Sequence, residues 1–180
     1  MTEKVIIETL RLRLRPIDNK DAVELFKYRS DAVTNKFQGW IPKKLEDAYE
    51  FIKKTSTEID IVDSWFQFVI IERNSNELIG DIGVHFLDTD KKQVEIGITL
   101  DKNQQEKGFA TEALKGIIDY LFNKLNKHRI IASIDPENNK SIELFERLGF
   151  RKEAHFRESL LINGKWADDL IYAILKNEWK

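Results

Sequence analysis

The chain has 180 residues, of which 42% are hydrophobic, and its 31 acidic against 29 basic side chains give a formal net charge of −2. This size predicts one domain over residues 1–180, and the near-neutral charge without a basic block argues against a nucleic-acid-binding protein. Disulfides, thiolate catalysis and thiolate metal sites are excluded because cysteine is absent. We expect no metal site, because the histidines are scattered, and no membrane span, because no apolar run reaches about 18 residues. The start is unlike a secretion signal, which predicts a cytoplasmic protein.

The first third of the chain predicts one strand and two helices. Leucine and arginine alternate from Glu8 to Arg15, which is the period of a half-buried strand that Pro16 ends. Asp18 and Asp21 resemble a helix N-cap signal. Two amphipathic helices follow, separated by a loop over residues 31–44. Their predicted apolar faces are Ala22, Leu25 and Phe26, and then Leu45, Ala48, Tyr49, Ile52 and Ile59.

The remainder predicts strands interleaved with two more helices. A long helix follows residue 108, and a second helix, Asn138 to Leu148, ends at Gly149 as a left-handed cap. Asn163-Gly164 predicts a two-residue hairpin turn between the last two strands. The resulting order, β-α-α-β-β-β-α-β-α-β-β, predicts an α/β protein with a mixed sheet and helices on both faces. The other predicted strands are Trp65–Glu72, Leu78–Leu87, Val94–Leu100 and Arg129–Ile134.

The segment between the strand Val94–Leu100 and the long helix is the most informative. Gln105, Gly108 and Ala110 form the spacing Gln-x-x-Gly-x-Ala. Unpaired amides at a helix start, and the positive end of the helix dipole, suit a diphosphate. The nucleoside-triphosphate loop is excluded because Phe109 follows the glycine, and the dinucleotide fingerprint is absent. An ordinary helix start with a glycine is the alternative at this point.

This segment resembles the pyrophosphate loop Q/R-x-x-G-x-G/A of the GNAT superfamily of N-acetyltransferases. A second motif, Asn138 to Phe150, matches the family's N-x-x-[AS]…GF helix, and the element order is similar to the GNAT fold along the whole chain. Glu8–Leu12, the loop from Asp31 to Trp40, and Trp166–Tyr172 are similar to the RimJ/RimL-type branch, whose namesakes acetylate N-terminal amines of ribosomal proteins. The resemblance implies a mostly antiparallel sheet with one splayed parallel pair.

The cofactor that the resemblance implies is acetyl-coenzyme A as acetyl donor, with no metal. Its diphosphate would lie on the loop amides, with Thr111 capping nearby; Lys107 either attracts it or is merely solvated. The pantetheine arm would bond to backbone in the splayed gap, where Gly97 fits a bulge or relieves twist. The expected cofactor-binding residues are Ile98, Leu100, Gln105, Glu106, Lys107, Gly108, Phe109, Ala110, Thr111, Asn138 and Ser141.

Amine acetylation needs few specialised side chains, because a thioester is already activated and an amine can attack it directly. The remaining tasks are to deprotonate the amine, stabilise the oxyanion and protonate the thiolate. Glu95 is the expected base, with a solvated strand glutamate as the alternative, and the Ile98 amide is the expected oxyanion donor. Many relatives hold a proton-donating tyrosine where this chain has Phe145. Ser141, one turn earlier, is expected to act near the sulfur; packing or capping is its alternative.

The acceptor is expected to be a primary amine, either a protein N-terminal amine or a small molecule. Its pocket would be formed by the loop over residues 31–42, the second helix and the Asn163-Gly164 hairpin. Phe37 and Trp40 are expected pocket walls, or else pack against the first helix. Two other functions stay open, a non-catalytic acyl-coenzyme A sensor and an aminoglycoside-type antibiotic acetyltransferase, as do the monomer and the homodimer. Carboxylates expected to attract a cationic amine, or to serve only as surface or cap residues, are Glu46, Asp47, Asp168 and Asp169.

Overall fold

A computed structural model describes residues 5–87, 90–162 and 164–180. Within these ranges eight strands form one sheet in the order β1-β2-β3-β4-β5-β6-β8-β7. Neighbouring strands are antiparallel except for β5 and β6, which confirms the predicted mixed sheet. The strands are β1 (Ile7–Glu8), β2 (Leu12–Pro16), β3 (Ser64–Glu72), β4 (Leu78–Phe86), β5 (Gln93–Leu100), β6 (Arg129–Ile134), β7 (Arg151–Ile162) and β8 (Lys165–Leu175).

Helices cover both faces of the sheet, as the element order predicts. α1 (Ala22–Arg29) and α2 (Leu45–Lys54) form one apolar cluster, whereas α3 (Phe109–Asp119) and α4 (Asn139–Arg147) pack with the larger core on the opposite face. α3 continues into a π-helical turn at Tyr120–Lys124. No helix in the described ranges is long and apolar enough to cross a membrane.

The predicted first strand is in fact a hairpin. β1 pairs antiparallel with β2, with Ile7 opposite Leu14. The chain reverses at Thr9–Arg11, so Leu10 is 87% exposed instead of sharing the buried face of Leu12 and Leu14. Leucine–arginine alternation is the same on both sides of this turn, so the pattern alone does not reveal the reversal.

The parallel pair opens after three residue pairs, which confirms the predicted splay. β5 and β6 pair only from Gln93 opposite Arg129 to Glu95 opposite Ile131, although β5 continues to Leu100. The predicted bulge at Gly97 is wrong, because β5 pairs with β4 in unbroken register through Gly83 opposite Gly97. A side chain at Gly97 would meet nothing within 4 Å.

Two further predictions concern element ends. α2 ends at Lys54, so Ile59 lies beyond it, where it packs partly buried against the larger core. Gly149 has φ +90°, which confirms the left-handed cap after α4. The last strands pair up to Ile162 opposite Lys165, and Gly164 has φ +77°, as a tight hairpin requires; Asn163 lies outside the described residues.

A buried ion pair fixes α1 on the sheet. Asp81 of β4 is fully buried and accepts hydrogen bonds from the Tyr28 hydroxyl, the Arg29 guanidinium and the Gln67 side-chain amide. Burial raises the pKa of the Tyr28 hydroxyl well above its ordinary value, and the neighbouring Asp81 charge adds to this. α1 therefore delivers the loop that follows it to a defined place above β4 and β5.

Candidate active site

The start of α3 has the backbone that the glycine motif predicts. Gly108 is the residue before the first helical turn and has φ +81°, and Glu106 has φ +64°. Such angles favour glycine, so Gly108 is the residue that lets the chain turn sharply into the helix. The first intrahelical bond runs from the Glu112 amide to the Gly108 carbonyl at 3.1 Å, which leaves the preceding amides without helical partners.

A cavity of about 700 Å³ lies beside this helix start. Its walls are residues 33–38, the end of β5, the glycine loop and one side of α4 with the residues just before it. Most predicted cofactor-binding residues line it together: Ile98, Leu100, Gln105, Glu106, Gly108, Ala110, Thr111, Asn138 and Ser141.

Two predicted cofactor-binding residues point elsewhere. Phe109 is only 6% exposed and belongs to the larger core, where the Arg11 guanidinium lies 4.5 Å from its ring centre. The Lys107 ammonium donates to the Gln104 side-chain oxygen at 3.0 Å. Neither residue is among those that line the cavity.

Besides Asn139, four residues of α4 line the cavity and were not predicted. They are spaced i, i+3, i+4, i+7, which is one face of a helix, and two of them are basic. This spacing can be read from the sequence once it is known which face of α4 borders the cavity. The four are Lys140, Glu143, Leu144 and Arg147.

The N-terminus of α4 places Ser141 on the cavity. The Asn138 side chain caps the helix by accepting a hydrogen bond from the Ser141 amide at 3.3 Å. Phe145, one turn further, is 3% exposed and packs edge-to-face on Phe150 with ring centres 5.0 Å apart. The phenyl ring is therefore part of the core, whereas Ser141 faces the open space.

Glu95 is the last residue of β5 that pairs with β6, and the two strands separate beyond it. Burial raises the pKa of its carboxyl; the nearby His85 lowers that pKa and the Asp169 charge raises it further. His85 Nδ1 lies 4.0 Å from Glu95 Oε2, and its ring stacks on Trp65 at 4.7 Å. A carboxylate with a raised pKa is better matched to proton abstraction near neutral pH than an ordinary one. Glu95 does not itself line the 700 Å³ cavity.

The acidic residues of the predicted acceptor side have different surroundings. Asp169 is 7% exposed, and burial raises its pKa although Ser133 donates a hydrogen bond to it at 2.7 Å. Asp168 is bound to the His155 ring at 2.7 Å, and Asp47 caps the start of α2 by accepting from the Lys44 amide at 3.1 Å. Asp169 is thus the buried carboxylate close to Glu95.

The loop after α1 borders the cavity through residues 33–38. Lys102, just before the glycine loop, donates to Asp31 at 2.9 Å and lowers the pKa of that carboxyl to about 2. Phe37 lines the cavity, whereas Trp40 stacks on Phe51 of α2 with ring centres 4.4 Å apart. Trp40 therefore packs mainly on α2, and the expected alternative, packing against α1, holds only through the Arg29 guanidinium 5.9 Å from its ring centre.

Comparison with known proteins assigns this site to a family. A family model described as the acetyltransferase (GNAT) domain matches residues 11–151, which include the glycine loop and α4. The chain belongs to the GNAT acetyltransferase family. The predicted family and the enzyme class, an acyltransferase, are thereby confirmed.

Individual relatives cover nearly the whole of this GNAT chain. It is 35% identical to the uncharacterized N-acetyltransferase YnaD of Bacillus subtilis (strain 168), over 96% of this chain and 98% of that protein. It is 26% identical to the [ribosomal protein uS5]-alanine N-acetyltransferase of Escherichia coli (strain K12), over 98% and 93%, which bears out the similarity to the RimJ-type branch. The crystal structure of a GNAT-family acetyltransferase from Bacillus anthracis superposes with a TM-score of 0.87 at 30% identity, covering 97% of this chain and all of that one.

Proposed function

We propose that this GNAT acetyltransferase, as one domain over residues 1–180, moves an acetyl group from acetyl-coenzyme A to a primary amine by direct attack in a ternary complex. One observation carries the proposal. The start of α3, the open end of β5 and the start of α4 border a single cavity of about 700 Å³. A diphosphate, an extended arm and a thioester therefore have adjoining places in one space.

The coenzyme would be held mainly by backbone. The free amides at the start of α3 suit its diphosphate, and Arg147 lines the same cavity, as does Lys140, whose ammonium is paired with Glu106 at 2.8 Å. Beyond Glu95, β5 lacks its parallel partner, so its backbone groups that face away from β4 are available to the amides of the pantetheine arm, as in strand addition.

The chemical steps would then fall to three groups. Glu95 accepts the proton of the attacking amine, directly or through water, because its raised pKa suits a base near neutral pH. The Ile98 amide, in the part of β5 that no longer pairs with β6, donates to the oxyanion. Ser141 donates a hydrogen bond to the departing thiolate and relays a proton from solvent to it, which regenerates the serine hydroxyl; its side chain borders the cavity, whereas Phe145 is buried.

The acceptor is proposed to be a cationic amine, either a protein N-terminus or a small molecule. Glu95, at the point where β5 and β6 separate, is a partly buried carboxylate whose pKa is raised by burial and by the charge of the buried Asp169. The relative from Escherichia coli is named for acetylating an alanine of ribosomal protein uS5, which supports a peptide N-terminus as one such amine.

A second function is a non-catalytic sensor of acyl-coenzyme A, favoured by the core position of Phe145 where a tyrosine would donate a proton. Calorimetry with coenzyme A, followed by thiol release from acetyl-coenzyme A with alanine-initiated peptides, polyamines and aminoglycosides, separates the cases. Binding with turnover of at least one amine supports the transferase. Binding without any turnover supports the sensor, and no binding contradicts both.

A further inference from the structure

The turn between β1 and β2 is bound to the start of α3. The Thr9 hydroxyl and the Arg11 amide both donate to Glu112 Oε1, at 2.6 and 2.7 Å. Arg11 Nε donates to Glu112 Oε2 at 2.6 Å, so the carboxylate is held at both oxygens. This turn is the Glu8–Leu12 motif, to which the proposed reaction assigns no part.

Arg11 also holds the loop residues on either side of Gly108. Its Nη1 donates to the Lys107 carbonyl at 3.0 Å, and its guanidinium lies 4.5 Å from the ring centre of Phe109. Its Nη2 would lie 3.3 Å from a Cβ at Gly108. Because Arg11 is not among the residues that line the cavity, it contacts the loop from behind.

We propose that Arg11 is a positioning residue for the coenzyme diphosphate: it fixes the glycine loop from behind and neutralises Glu112 in the first turn of α3. This inference rests on the proposed binding of coenzyme A at that helix start. The bond to the Lys107 carbonyl keeps this oxygen turned toward Arg11, so that the neighbouring amides face the cavity.

The charge argument concerns Glu112. Partial burial would raise the pKa of its carboxyl, but the hydrogen bonds from Thr9 and Arg11 outweigh burial and lower it, so this residue is ionised at neutral pH. An ionised carboxylate one turn from a bound diphosphate repels it unless a cation compensates. Arg11 supplies that cation together with a planar set of donors that lysine lacks.

The packing around this turn is close. A Cβ at Gly116, two turns into α3, would lie 2.9 Å from Thr9 Cγ2. α3 is thus seated directly on the turn, and a change at Arg11 acts on the loop rather than on a distant surface.

Calorimetry of coenzyme A binding tests the proposal. Arg11→Met should weaken affinity about ten- to a hundredfold, the range for losing hydrogen bonds to charged groups. Arg11→Lys keeps the charge but not the planar donors, so its affinity for coenzyme A should lie between those of Arg11→Met and the wild type. The matched control is Arg13→Met on β2, an exposed arginine paired with Glu8 at 3.0 Å, which should bind as wild type does.

A second measurement separates positioning from loss of structure. For the amine that turns over best, kcat/KM is compared between acetyl-coenzyme A and S-acetylpantetheine, which lacks the diphosphate. Arg11→Met should lower only the value for acetyl-coenzyme A, and adding Glu112→Gln should recover part of that loss by removing the repelling charge. If Arg11→Met does not fold, the same ratio is read from Arg11→Lys.

The outcomes that overturn the inference differ from those that overturn the proposed function. Equal losses with both thioesters, or unchanged affinity for coenzyme A, would show that Arg11 does not position the diphosphate. Failure of the wild-type protein to bind coenzyme A would remove the proposed function and this inference with it.

Discussion

Ser141 and Phe145 lie one turn apart on α4 but in opposite environments. The serine borders the cavity and the phenylalanine is buried against Phe150. That position 145 holds a phenyl ring, which cannot donate a proton, follows from residue identity alone. The sequence could not show where the ring points, because this depends on how α4 packs on the sheet.

Replacing Ser141 tests its role as proton donor. Ser141→Ala should lower kcat by about ten- to a thousandfold, the contribution expected of one acid–base group, while affinity for coenzyme A stays close to wild type. Steady-state kinetics and calorimetry measure the two quantities separately. Unaltered kcat would exclude Ser141 from the chemistry.

Glu95 should give the reaction its acidic pH limb. A base works only when deprotonated, so kcat should rise with pH through the raised pKa of Glu95 and level off above it. In Glu95→Gln the rate should drop about a hundredfold or more, and this rise should disappear. The pH–rate profiles of the wild type and the variant measure this rise in kcat. If the variant keeps the rise, another group is responsible for it.

At the scale of elements, the helix starts and the strand positions were mostly predictable and the turns were less so. The glycine loop before α3 and the cap after α4 follow from local glycine positions. The β1–β2 hairpin does not, since its turn is fixed by Glu112, which lies 101 residues from Arg11 in the chain. The splay was implied by family resemblance, whereas the regular pairing at Gly97 needed the register with β4.

The start of α3 can be tested through its glycine. Gly108→Val should reduce coenzyme A binding below detection, because the side chain strains a backbone at φ +81° and crowds both Arg11 and the ligand. Gly164→Val is the matched control, since it introduces comparable strain at φ +77° in open space. Calorimetry on both variants distinguishes a local effect from general backbone strain; equal losses would contradict the cradle assignment.

At the scale of the whole molecule, two carboxylates of the candidate site lower the stability of the folded protein. Burial raises the pKa of both Glu95 and Asp169, so each ionised carboxylate destabilises the folded state. This loss of stability is absent at low pH, where the carboxylates are protonated in both the folded and the unfolded protein. It grows as the pH rises from their ordinary pKa to the raised pKa of the folded protein. Stability lost at a site that carries function is a common exchange in enzymes.

Asp169→Asn should therefore raise the thermal midpoint at pH 7 and lose that advantage near pH 3.5. The amide is uncharged throughout and can still accept from Ser133. Melting curves across this pH range measure the difference between variant and wild type. A variant less stable at pH 7 would show that the ionised carboxylate is stabilised by its surroundings.

The parting of β5 from β6 has a consequence for how the molecule responds to its donor. β5 and β6 are joined by three residue pairs, and the coenzyme's arm would lie in the gap beyond them, alongside β5. The bound coenzyme would then supply the missing partner of β5, so that the β5 amides beyond Glu95 that face away from β4 should exchange their hydrogens rapidly without the coenzyme and slowly with it.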